Sequence, residues 1–125
     1  MPVRGIRGAT TVDHQDGNSI LFSTRELLLA ICEANPTLQP EDIASVFFTV
    51  TDDLCAVYPA QAARVLGWGE VPLMDALEIP VPGSLQHCIR VTIHWNTDLS
   101  QREIHHVYLH EAESLRPDLL HGNVS

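Results

Sequence analysis

Residues 87 to 95 alternate in polarity, and this stretch constrains the fold more than any other. Ile89, Val91, Ile93 and Trp95 fall on one face at the two-residue period of a strand, which puts Cys88, Arg90, Thr92 and His94 on the other. Arg90 therefore points away from the most apolar face. The remaining pattern surrounds this strand with others. Val3 to Val12 reads as a strand in which Gly5 and Gly8 allow close backbone approach, and Val46 to Val50 reads as a buried strand. Val71 to Met74 reads as a short strand, and His106 to Glu111 as a last one.

Between them lie a polar loop at 14–18 and a main helix over residues 19–34. Its apolar positions are Ile20, Leu21, Leu27, Leu28, Ile31 and Ala34, its N-cap Asn18 or Ser19, and its stop Pro36. Short helical pieces are expected at Pro40 to Asp42, at Pro59 to Leu66 closed by Gly67, and at Ser100 to Ile104. Pro80, Pro82 and Gly83 force a turn. The order of elements suggests a mixed α/β or α+β fold, a single sheet with helices on one face. The other sheet face then needs a cover, and association through that face or at the sheet edges is the simplest solution.

The chain has 125 residues, of which 16 are acidic and 7 basic, and every basic residue is arginine. A net charge of −9 and an isoelectric point near 5.0 argue against a general nucleic-acid or anionic-membrane binder, since both surfaces recruit clustered cations. A composition 45% hydrophobic and 18% charged fits one domain over residues 1–125, with 116–125 as a flexible tail. The amino terminus lacks the apolar core of a secretory signal, so a cytoplasmic location is expected. Cys32, Cys55 and Cys88 are odd in number and widely spaced, which fits reduced, buried thiols better than disulfides or a zinc site.

Seven histidines invite a metal hypothesis. On a continuous strand, however, His106 and His110 stand about 13 Å apart, too far for one ion. No glycine-rich nucleotide loop and no serine-nucleophile motif is present. What remains is a set of arginines. Each has an ordinary reading as a surface or ion-pair residue. That reading is weaker for Arg7 and Arg90, because a charge among small and apolar strand neighbours is costly unless an anion meets it. Glu78, between Leu77 and Ile79, is either an internal ion-pair partner for one of these arginines or a functional carboxylate.

The segments GIRGATTV (5–12), AVYPAQAAR (56–64), CIRV (88–91), HVYLHEA (106–112) and LRPDL (115–119) together resemble the monofunctional chorismate mutases of the AroH class. The likeness runs from Val3 to Leu119 at nearly constant spacing. It implies a homotrimer of α/β subunits forming a pseudo-barrel, with active sites in clefts between neighbours, and one reaction: the Claisen rearrangement of chorismate to prephenate. That reaction is unimolecular and needs no cofactor, metal or nucleophile. It asks for a held conformer and fixed positive donors where charge grows on the breaking ether oxygen. Arginine suits this, being always protonated and able to bind carboxylates bidentately.

The resemblance implies that Arg90 donates to the ether oxygen and a carboxylate, that Arg7 and Tyr108 grip a carboxylate, and that Glu78 accepts from the ring hydroxyl and helps to hold Arg90. It places Tyr58, Ala60, Arg64, Leu73 and Met74 along the pocket, and Leu115 and Arg116 in a cap. Two positions depart from the familiar pattern. Gln61 stands where a lysine is usual, and Asp75 stands where a neutral residue is expected, either to bond the substrate hydroxyl or to pair with an arginine. A trimeric anion-binding or regulatory protein of the same fold, catalytically weak, is the competing reading.

Overall fold

The computed structural model describes residues 1–115. The alternating stretch is the middle strand of a five-stranded sheet. This strand, β4 (Cys88–Asn96), pairs antiparallel with β1 (Val3–Thr11) and β2 (Ile43–Val50). The edges are β3 (Leu73–Leu77), parallel to β2, and β5 (Val107–Tyr108), parallel to β1, giving the order β3-β2-β4-β1-β5. The helices α1 (Gly17–Ala34) and α2 (Ala60–Val65) complete the mixed α+β architecture, and short 3-10 turns occupy Pro40–Asp42, Gln101–Glu103 and His110–Ser114.

The main core lies between α1 and one face of the sheet. Ile20, Leu27, Leu28 and Ile31 of α1 are buried in one cluster with Ile6, Val46, Phe48, Ile89, Val91, Ile93 and Trp95. Each such side chain contributes about 1.5–3 kcal/mol of transfer free energy. Gly8 is where helix and sheet come closest. A Cβ there would stand 2.9 Å from Ile31 Cδ1, 3.1 Å from Val91 Cγ1 and 3.2 Å from the Val107 carbonyl oxygen. Gly5 has no such role, since nothing lies within 4 Å of its Cβ position. Buried Asn35 finishes α1 by donating from Nδ2 to the carbonyls of Ile31 and His105, and its Oδ1 accepts from the His105 N–H. The end of the helix is thereby tied to the chain leading into β5.

Several boundaries differ from the sequence pattern. Helix α1 begins at Gly17, capped by Asp16, whose carboxylate accepts from the Ser19 N–H at 3.1 Å and from its hydroxyl at 2.7 Å. A Cβ at Gly17 would meet Val57 Cγ1 at 2.8 Å, so a larger residue there would have to push that side chain aside. Strand β3 starts two residues later than expected and runs on to Leu77: Val71 N–H closes a turn onto Trp68, and Pro72 has no N–H to offer the ladder. Strand β5 stops at Tyr108, and His110 at φ 53° turns the chain into a 3-10 helix. His106 and His110 therefore do not share a strand.

Strand β2 is not buried throughout, for Phe47 is 41% exposed on the face away from α1. The expectation of three buried thiols holds for Cys88 alone. Cys32 is half-buried, and Cys55 is exposed in the loop before α2; all three are free. Among the described residues, no helix is long and apolar enough to cross a membrane.

Candidate active site

The sheet face turned away from α1 carries the charged chemistry. Cross-strand register sets Ala76 of β3, Thr49 of β2, Arg90 of β4, Ala9 of β1 and Tyr108 of β5 side by side in one row. Directly opposed residues share a sheet face. The adjacent row holds Met74, Phe47, Thr92 and Arg7. Arg90 thus stands at the centre of the sheet with small or hydroxyl-bearing neighbours on both sides, and Arg7 stands on the next strand, exposed.

Glu78 follows directly after β3. Its backbone N–H donates to the Val50 carbonyl at 2.8 Å, which brings its side chain over the Arg90 row. Glu78 Oε2 lies 3.7 Å from Arg90 Nε, while its Oε1 accepts a 2.5 Å bond from the Thr49 hydroxyl. Arg90 Nε is itself buried and, among the described residues, has no hydrogen-bond acceptor. A donor in that state strongly favours an incoming oxygen. Beneath it, burial pushes the Cys88 thiol up, and the nearby Arg90 charge partly opposes this.

Tyr108 is only 5% exposed. It packs with Ala9, Cys88 and Ala112, and Leu85 and Leu115 close the edge of this small cluster. The chain before it is fixed by the Arg7 N–H, which donates to His106 Nδ1 at 2.9 Å.

The other candidates lie around the β3 edge and α2. Tyr58, 69% exposed, lines a groove with Asp75, Ala76 and Leu77. Asp75 Oδ1 accepts the Ala60 N–H at 3.1 Å and so caps α2. Desolvation raises its pKa, opposed by this bond and by the Arg64 charge. Ala60 is buried and Leu73 half-buried, whereas Gln61 and Arg64 are exposed. Arg64 opens into a different hollow, beside Glu41 and Glu70. A single chain therefore gathers Arg90, Glu78, Arg7 and Met74 on one sheet face but leaves Gln61 and Arg64 apart from them. Arg116 lies outside the described residues, as does the expected tail.

Thr49 escaped the sequence reading. A lone threonine in an apolar strand carries no signal, and only its register opposite Arg90 reveals it.

Comparison with known proteins identifies the family. The family model for type I chorismate mutases matches residues 3–119. A curated chorismate mutase AroH from Thermus thermophilus is 55% identical over 117 residues, covering 94% of this chain and 96% of the relative. The one from Bacillus subtilis is 48% identical over 120 residues, covering 95% and 94% respectively. A solved chorismate mutase from Clostridium thermocellum superposes with a TM-score of 0.85 at 49% identity, over 88% of this chain and 97% of that one. The likeness of sequence extends over nearly the whole chain and the likeness of fold over most of it, and the chain belongs to the type I chorismate mutase family.

Proposed function

We infer that this protein catalyses the rearrangement of chorismate to prephenate, an isomerisation in aromatic amino-acid biosynthesis. The observation that carries the reading is Arg90, a permanent cation at the centre of an open sheet face with one buried N–H awaiting an acceptor. The rearrangement develops negative charge on an ether oxygen within a dicarboxylate, and it calls for fixed donors rather than for a base or nucleophile. Arg90 donates to that oxygen and to a carboxylate. Arg7 and Tyr108 hold a carboxylate, and Glu78 accepts from the ring hydroxyl while orienting Arg90. Tyr58, Ala60, Gln61, Arg64, Leu73, Met74 and Asp75 line the pocket, and Leu115 and Arg116 cap it. No cofactor enters this chemistry.

The protein works as a single-domain homotrimer with sites between neighbouring subunits. Support comes from the open sheet face, where Phe47 and Met74 are 41% and 57% exposed beside the charged row, and from the separation of Gln61 and Arg64 from Arg90 within one chain. Its three free thiols fit a reducing cytoplasm.

Incubation with chorismate, followed by ultraviolet absorbance, tests the activity. Loss of chorismate no faster than the spontaneous rate overturns it in favour of a binding protein of the same fold. Light scattering after gel filtration tests the assembly, with an expected mass of three times the 13.8 kDa chain.

A further inference from the structure

Glu78 is held in place by a residue that none of the chemistry above uses. Its backbone is fixed to β2 by the 2.8 Å bond to Val50, and its carboxylate is fixed by the 2.5 Å bond from the Thr49 hydroxyl. Thr49 is directly opposite Arg90 in the β2–β4 register. Both anchors thus come from the strand that also flanks the arginine. With Oε1 engaged, Oε2 comes to rest 3.7 Å from Arg90 Nε. That is close enough for the charges to attract and too long for a hydrogen bond. Among the described residues, the buried Nε–H is consequently left without an acceptor, although a carboxylate stands beside it.

A free glutamate side chain in that position would close on the guanidinium and form the stronger, charge-assisted bond. We propose that Thr49 is a positioning residue, whose hydroxyl holds the Glu78 carboxylate off Arg90 so that the guanidinium is not closed into a hydrogen-bonded ion pair before the substrate arrives. The inference rests on the assignment of Arg90 and Glu78 to substrate.

The test compares Thr49→Val with Thr49→Ser, each in the native background and in Glu78→Ala. Valine keeps the shape and has the better strand propensity, whereas serine keeps the hydroxyl and loses propensity. If Thr49 were merely structural, valine would be the milder change. If it positions Glu78, serine is the milder one. Thr49→Val is expected to lower kcat/KM about ten- to a hundredfold, mostly through kcat, with Thr49→Ser within about threefold of the native enzyme.

In the Glu78→Ala background, Thr49→Val should cost less than about twofold, because its partner is already gone. Equal losses for valine and serine, or a full loss in the Glu78→Ala background, overturn the proposal. So does native turnover of Thr49→Val while Arg90→Ala is crippled. Native turnover of Arg90→Ala would instead overturn the site assignment itself, which keeps the two failures distinct.

Discussion

At the scale of single residues, Arg90 combines a half-exposed side chain with a buried Nε–H that has no acceptor among the described residues. Leaving such a donor unmet costs about 1–3 kcal/mol, a cost relieved when a ligand oxygen arrives. Replacing Arg90 by alanine is expected to lower turnover by at least ~10²–10³, the effect of losing one preorganised donor, with the melting temperature little changed. Arg90→Lys should also be poor, since a flexible point charge cannot reproduce a planar fork. Steady-state kinetics with chorismate checks both, and near-native turnover in either variant would contradict the role. Arg90 and Glu78 were legible in the sequence because charges among apolar strand neighbours demand a reason. Thr49 and the cap formed by Asp75 were not, because each gains its role from a residue on another element, and no local pattern encodes that.

Among the elements, α2 is six residues long and starts at Ala60, whose N–H is met by a carboxylate from β3. Asp75 has its pKa raised above the ordinary 3.8 chiefly by desolvation. The folded protein therefore takes up a proton there more readily than the unfolded chain. Its contribution to stability is greatest below 3.8 and declines as pH rises through the raised value. Asp75→Asn keeps a carbonyl oxygen for Ala60 without the charge, so its melting temperature should exceed the native one at neutral pH. The difference should vanish in acid, as thermal unfolding followed by circular dichroism across pH would show.

A second prediction concerns the contact of α1 with the sheet. Gly8→Ala crowds Ile31, Val91 and the Val107 carbonyl, and overpacking of this kind costs about 1–3 kcal/mol. Ile31 can turn aside, but the Val107 carbonyl is backbone, so β5 must shift and carry Tyr108 with it. Urea denaturation should report the loss of stability, and the activity of the folded variant should fall too.

The strand period announced β4 and the helical period announced α1, since both elements bury one clean face. The edges β3 and β5 were misjudged because their limits depend on Pro72 and on the left-handed His110, not on periodicity.

For the whole molecule, the one-sided helix layer leaves Phe47, Met74, Thr92 and His94 of the opposite face partly open. Phe47, set edge-on to His94 at 5.6 Å between ring centres, makes a sensitive probe of what covers that face. Phe47→Asp places a charge where a neighbouring subunit should pack. It is expected to yield monomers with little activity yet retained secondary structure, read by light scattering and circular dichroism. A trimer of full activity would show that the open face is not the interface. The need for a cover was legible from the helix order alone. Its occupant came only from resemblance, because the alternating pattern fixes which face is open and not what fills it.

The parallel pairing of β1 with β5 also has a consequence for the order of folding. Thr11 accepts from the N–H of Glu111, 100 positions away, and Gly8 pairs with Val107. Contacts across such a separation carry a loop-closure cost that grows only slowly with length. The β1–β4 ladder closes over a similar separation, from Val3 to Asn96, so neither side of β1 has the shorter loop to form first. Arg90 and Tyr108, on the two strands that flank β1, thus depend on long-range closures of similar length, and slow pairing of β1 should delay both together.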